Sequence, residues 1–267
     1  NAGVARQRHP HRVAQITAVD VFDPDALTRD AFLGGKLHLW QPRKGYRAGV
    51  DPVLLAATVP AQAGQRVLEL GCGVGAASLC LGARVPGLQL TGVEIQPAYA
   101  ALARRNNPTF EVVEADIDAM PLALRQRQFD HVLANPPYFD RHASVAATNS
   151  GRETALGEAT PLETWVKIAA KRLAPKGQAH FIHRAERLPD LIRALPHDMG
   201  SIEVLPIAPR IGRMAELVIL RARKSGRGAF RLNAPLIMHE GAQHLSDGDS
   251  YVPEIRAVLR EGAALPF

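Results

Sequence analysis

Residues Arg66 to Gly75 read RVLELGCGVG. A short apolar run closes on a glycine, and the small residues that follow, Val74 to Arg84, have helical character, so the stretch predicts strand, turn, helix. The unit then repeats. Leu88 to Ile95 reads as a strand and Pro97 to Asn106 as an Ala-rich helix with proline in its first turn, and Phe110 to Asp116 as a third strand. Phe129 to Ala134 is a fourth strand, Pro161 to Leu173 a helix stopped by Pro175 and Gly177, and Gln178 to His183 a fifth strand. After a helix near Arg187 to Leu195, Ser201 to Pro206 and Glu216 to Arg223 are close enough in sequence to pair as a hairpin. Strands alternating with helices imply a parallel sheet. The expected fold is α/β: a Rossmann-like, doubly wound sheet of seven strands, mostly parallel, with an antiparallel edge hairpin.

Residues 64–226 form the predicted core. Residues 1–63 precede it as a basic extension in which GYRAGVDPVLLAA reads as a helix leading into the first strand, and residues 227–267 follow it with an amphipathic helix around Glu254 to Arg260, the whole making a single domain. Tyr138 to Glu158 has neither period, and a loop that long is functional or disordered. With 46% hydrophobic and 22% charged residues the composition is that of a globular enzyme. No apolar run approaches the roughly 20 residues that span a bilayer, and no secretory signal is visible, so a cytoplasmic protein is expected. Cys72 and Cys80 lack His or Cys companions at ligand spacing, which argues against a disulfide framework and against a metal.

A net charge of +6 makes an anionic partner plausible. Two basic patches stand out: Arg6, Arg8, His9, His11 and Arg12, then Arg210, Arg213, Arg221, Arg223, Lys224, Arg227 and Arg231, a stretch whose only acidic residue is Glu216. The chain opens on Asn1 rather than methionine, so more of the basic leader is expected ahead of it.

In an open parallel sheet ligands sit beyond the carboxyl ends of the strands. Gly71, Gly73 and Gly75 let the backbone turn sharply at a helix N-terminus, where free N–H groups can meet a carboxylate or phosphate. Glu94 ends the second strand, placed for ribose hydroxyls, and Asp116 ends the third, within reach of an adenine amino group. Gly71, Gly73 and Ala76 also fit a dinucleotide fingerprint with an acidic residue about 20 positions on, so an NAD-dependent oxidoreductase is carried as a rival. The rival has no use for Asn135, Pro136, Pro137 and Tyr138 at the end of the fourth strand. Methyl transfer to a planar amino nitrogen does. There the lone pair is delocalised, and acceptors aimed at the two N–H bonds help it localise. The Asn135 side-chain oxygen and the Pro136 carbonyl can be those acceptors, Pro137 stiffens the backbone, and Tyr138 offers a face for stacking.

With these residues in hand the sequence resembles the class I S-adenosyl-L-methionine-dependent methyltransferases whose N-P-P-[YF] motif acts on planar amino groups. Within that group it is most similar to bacterial tRNA (adenine-N6) methyltransferases, from GYRAGVDPVLLAA through RVLELGCGVG, GVEIQ, EAD and ANPPYF to YVPEIRAVLREGAAL. The resemblance implies that Glu69, Gly71, Cys72, Gly73 and Gly75 surround the methionine part of the cofactor. It implies Glu94 and Ile95 at the ribose, Asp116 and Ile117 at the adenine, Asn135 between cofactor and substrate, and Ala48, Gly49 and Asp51 as a cover. It implies no role for Arg152 or Glu153. Tyr138 and Phe139, with Arg210 and Arg213, are the expected substrate contacts, and tRNA or another structured RNA is the expected partner. His183 reads as a core or rim histidine rather than a base. Protein-glutamine N5-methyltransferases share the motif but generally carry a separate helical domain ahead of the core, for which the roughly 60 residues before the first strand leave little room. A non-catalytic RNA-binding module is the remaining alternative.

Overall fold

The computed structural model describes residues 22–140, 157–158, 160–242 and 250–267. The basic group Arg6 to Arg12, most of the Tyr138 to Glu158 loop, and Arg152 and Glu153 lie outside the described residues. The repeat that begins at Arg66 is realised as β3 (Arg66–Leu70), α2 (Ala76–Arg84), β4 (Gln89–Glu94), α3 (Pro97–Asn106), β5 (Glu111–Glu114), α4 (Leu122–Arg125) and β6 (Phe129–Ala134). It continues through the two-residue strands β7 (Phe139–Asp140) and β8 (Gly157–Glu158), α5 (Leu162–Arg172), β9 (Leu173–Arg184), α6 (Leu188–Ala194), β10 (Met199–Ala208) and β11 (Leu217–Lys224).

The sheet order is β10-β11-β9-β6-β3-β4-β5, with two-residue strands β12 (Arg231–Leu232) and β13 (Leu236–Ile237) added along β10. The chain winds outward from β3 in one direction through β4 and β5 and in the other through β6 and β9, so the order reverses between β3 and β6. The expected hairpin forms between β10 and β11, but β11 does not lie at the margin. It inserts between β9 and β10, antiparallel to both. Its residues Val218 to Leu220 are buried, as a strand with two paired edges and two covered faces requires.

Successive residues serve opposite faces, as the pleat dictates. Leu68, Val132, Phe181 and Leu220 join an apolar cluster under α5 and α6. Val67, Leu133, Ile182 and Ile219 join another under α1 (Asp51–Thr58), α2 and α7 (Pro253–Glu261). One polar row interrupts the second face. His131 Nδ1 lies 3.2 Å from His180 Nε2, and His131 Nε2 lies 3.2 Å from Gln65 Oε1.

The N-terminal region adds an element that the sequence reading lacks, an antiparallel hairpin of β1 (Leu27–Phe32) and β2 (Leu37–Pro42). Asn106 at the end of α3 fastens it: the Trp40 amide donates to Asn106 Oδ1 at 2.7 Å, and Asn106 Nδ2 donates to the Val74 carbonyl at 3.0 Å. Among the described residues no helix is long and apolar enough to cross a membrane.

Candidate active site

Where the strand order reverses, a cavity of about 300 Å³ opens at the carboxyl ends of β3, β4 and β6. That is at the small end of the range for small-molecule sites, roughly 300–1,000 Å³. Glu69, Gly71, Cys72 and Gly73 come from β3 and its turn, Glu94 and Ile95 from β4, and Asn135, Pro136, Pro137 and Tyr138 from the end of β6. Gly49 and Asp51 come from the segment before α1 and from its first residue.

Glycine is required at Gly71, whose φ is 65° and where a Cβ would stand 2.6 Å from the Trp165 ring. Trp165, from α5, thereby walls one side of the cavity. Gly75 caps α2 with φ 86° beneath Phe110 and does not reach the cavity lining.

The turn's amides are turned inward, against the expectation of free N–H groups. Glu94 Oε2 accepts from the Gly73 amide at 2.8 Å and its Oε1 from the Gln96 amide at 2.8 Å. Glu69 Oε2 accepts from Ser78, from the amide at 2.9 Å and the hydroxyl at 2.6 Å. Carboxylates therefore hold the positions at the α2 N-terminus where a dinucleotide would place its pyrophosphate. Burial pushes the Glu69 carboxyl up to about 7 and raises that of Glu94 as well. Arg47, the cation in the wall, is already engaged with Asp30 Oδ2 at 2.7 Å and with the Pro42 carbonyl at 2.8 Å. Asp51, Glu94 and, once ionised, Glu69 outnumber the engaged Arg47 in the wall, which suits a cationic ligand and opposes an anionic one. The Cys72 thiol, also in the wall, is held well above its ordinary pKa by burial, so it stays protonated.

The cover over the cavity is held by the hairpin. Gln41 Oε1 accepts from the Ala48 amide at 2.8 Å, and Gln41 Nε2 donates to Asp30 at 2.8 Å. Asp51 reaches across to accept from the Tyr138 hydroxyl. That bond gives the hydroxyl a fixed role in addition to the expected stacking role of the ring. The ring itself lies 5.2 Å from His183, centroid to centroid. His183 is fully buried, and burial lowers it to about 4, so it is neutral near pH 7.

Asn135 Oδ1 is the group most informative about chemistry. It is buried, yet it meets no hydrogen-bond partner among the described residues. Leaving such an acceptor unpaired costs about 1–3 kcal/mol, which a ligand N–H would offset.

Several expected site residues are not brought to the cavity. Asp116 caps the turn after β5, its Oδ1 accepting from the Asp118 amide at 3.0 Å, while Ile117 is buried in the core beneath α5. Phe139 begins a two-residue strand whose side chains lie outside the described residues. Arg210 and Arg213 follow β10 at the carboxyl rim, Arg210 donating to the Glu240 carbonyl and to Ser250 Oγ at 3.4 Å. The basic stretch that contains them is not one patch. Because β11 runs back across the sheet, Arg223 and Lys224 end at the opposite margin, and Arg221 in mid-strand donates to Glu203 at 2.8 Å. Tyr46, Gln96, Tyr99 and Trp165 line the cavity without having been singled out in the sequence. Gly45 just before Tyr46, with φ 103° beside the Tyr99 hydroxyl, was the available signal.

Residues 48–190 match the family model described as methyltransferase small domain. A tRNA1(Val) (adenine(37)-N6)-methyltransferase of Yersinia pseudotuberculosis is 30% identical over 82% of this chain and 86% of its own length. Another so named, from Haemophilus influenzae, is 26% identical over 71% of this chain and 82% of its own. The crystal structure of a predicted O-methyltransferase, protein Atu636 from Agrobacterium tumefaciens, superposes with a TM-score of 0.66 at 28% identity, covering 81% of this chain and 99% of that one.

Proposed function

Since the chain belongs to the methyltransferase small domain family, we propose that it transfers a methyl group from S-adenosyl-L-methionine to the exocyclic N6 amine of an adenine in tRNA. The observation that carries the reading is the buried Asn135 Oδ1 in the cavity wall, without a hydrogen-bond partner among the described residues. The relatives' substrate, named as an adenine of a valine tRNA, supports the polymer and the base.

When bound, S-adenosylmethionine supplies a methyl group on a cationic sulfur. Asp51 and Glu69 would face its methionine ammonium, Glu94 its ribose hydroxyls through lone pairs not used by the Gly73 and Gln96 amides, and the half-exposed Ile95 its adenine. Asp116, at the end of the next strand, does not line the cavity. Asn135 Oδ1 accepts from one N6–H of the target base and the Pro136 carbonyl from the other. The amino lone pair then leaves the ring system and points at the methyl carbon. With the donor bound, the N–C bond would form as its C–S bond broke, and the extra proton on nitrogen would pass to water. Tyr138, held by Asp51 and backed by His183, presents its ring to the base. No general base is needed for loss of that proton.

Incubating unmodified tRNA with labelled S-adenosylmethionine and analysing its nucleosides by mass spectrometry tests the assignment. Label is expected in N6-methyladenosine. Label appearing instead on a glutamine of a protein substrate, with none in tRNA, would move the chain to the release-factor-modifying branch.

The carboxyl of Glu69 adds a pH signature. Its ionised form, which attracts the cation, is populated above about 7. Affinity for S-adenosylmethionine should therefore rise roughly tenfold from pH 6 to pH 8, and Glu69→Gln should flatten that rise. Isothermal calorimetry at several pH values reads both. An identical pH profile in wild type and variant would remove Glu69 from the cation site.

A further inference from the structure

The outer margin of the sheet carries a feature that the methyl-transfer reading does not use. From Arg227 to Leu232 the chain reads RGAFRL, and every one of these residues is exposed. Phe230 is 53% exposed and Leu232 63%. Two large apolar side chains held in water two residues apart on an ordered segment are available to a partner.

The segment is held firmly to β10. The Gly228 amide donates to Ser201 Oγ at 2.8 Å, and the Asn233 amide donates to the Val204 carbonyl at 2.9 Å. Gly200 and Gly226 touch backbone to backbone, so that a Cβ on Gly200 would stand 2.2 Å from the Gly226 carbonyl oxygen. The strand β10 is bulged between Gly200 and Glu203 to accept the strap. Ser201 there has φ 47° and Ser225 φ 56°, a left-handed backbone that costs energy in residues other than glycine. Strain and close packing thus fix the backbone, while the side chains point outward.

In the chain, the strap carries an aromatic ring with one guanidinium group three residues before it and another in the next residue. Arg227 has no ion pair or hydrogen bond among the described residues. The Arg231 side chain is 71% exposed and only 4.0 Å from Glu203, whose carboxylate already accepts from Arg221 at 2.8 Å. A ring for an unpaired base and cations for the phosphates beside it is the arrangement of a single-stranded nucleic acid platform.

We propose that this strap is a second RNA contact, separate from the cavity, in which Phe230 stacks on an unpaired base while Arg227 and Arg231 pair with phosphates. The proposal rests on the tRNA reading above. Geometry favours one molecule reaching both places. The strap joins β10 at Glu203, and from there to Ala208 at the carboxyl rim is about 17 Å at the rise of a strand. The cavity lies three strand spacings away, roughly 14 Å, across β11 and β9. Arg210 and Arg213 stand at the rim end of the same strand, so that cations occur at both ends of the margin.

Fluorescence anisotropy with full-length tRNA over a range of salt concentrations tests it, using wild type, Phe230→Ala, Phe230→Trp and the double variant Arg227→Ala/Arg231→Ala. Phe230→Ala should raise the dissociation constant about tenfold and Phe230→Trp should restore it. The double variant should lower the magnitude of the log–log salt slope by about 1.4 to 1.8. Affinity for S-adenosylhomocysteine and kcat at saturating tRNA should stay at wild-type values. If wild type binds and methylates tRNA while all variants bind it equally well, the strap is not an RNA contact. Should those variants instead shift a wild-type dimer to monomer in sedimentation, the margin pairs two copies of this chain. Absence of tRNA binding by wild type would overturn the tRNA reading itself.

Discussion

Replacing Asn135 by alanine is expected to lower kcat by about 100-fold or more, with affinity for S-adenosylhomocysteine unchanged. The side-chain oxygen addresses the amine that receives the methyl group, and its worth is greatest when the nitrogen lone pair localises. A contact made mainly in the transition state appears in kcat rather than in KM. Asn135→Ala also removes a buried acceptor that has no partner among the described residues, so fold stability should not suffer. Single-turnover kinetics with saturating tRNA, together with calorimetry for the cofactor product, separates the two effects. Near-normal turnover would sink the proposed role, and a matching loss of cofactor affinity would reassign Asn135 to the cofactor.

The second large effect concerns acid stability. Burial lowers His131 to about 4, with neighbouring Arg221 adding to the effect and Asp130 opposing it. An unfolded histidine titrates near 6.5. Above pH 6.5 both states are neutral. As pH falls from 6.5 towards 4 the unfolded chain binds a proton that the folded chain refuses, so stability is lost across that window and the loss ends below it. The contribution from His131 is about 3 kcal/mol. Glu69, raised to about 7, works in the opposite direction, gaining protons in the folded state as pH falls. The measurement must therefore be a difference. Urea unfolding of wild type and His131→Gln at pH 7 and pH 4 should show the variant losing about 3 kcal/mol less than wild type between the two. Equal losses would mean that the imidazole pair accepts a proton in place.

What the sequence displayed, and what it hid, follows from the range of the interactions. β3, α3 and β6 were legible because each is a local pattern, and Pro97 and Gly71 punctuate it within a few residues. Glu94 and Asn135 were legible because each ends such a strand. The β1–β2 hairpin was not, since its strands, LTRDAF and LHLWQP, lack a regular polar–apolar alternation and are held by distant partners such as Asn106. Trp165 belongs to an ordinary amphipathic helix, and only the positive φ of Gly71 beneath it reveals why it faces the cavity. Asp116 does not line the cavity, and one of its carboxylate oxygens caps its own turn, a local bond that a strand-end pattern does not display. The arginines from 210 to 231 looked like one patch because sequence proximity hides the reversal of β11.

That reversed strand also constrains how the protein is made. β9 has one edge on β6 and the other on β11, so residues Gln178 to Arg184 stay half-paired until Leu217 to Lys224 have been synthesised. This late strand does not extend the sheet but wedges into it, between two strands made before it. A nascent chain stopped short of Leu217 would carry Phe181 and Ile182 on an open edge, the kind of surface that recruits other chains. The β9 edge is closed only when β11 pairs with it.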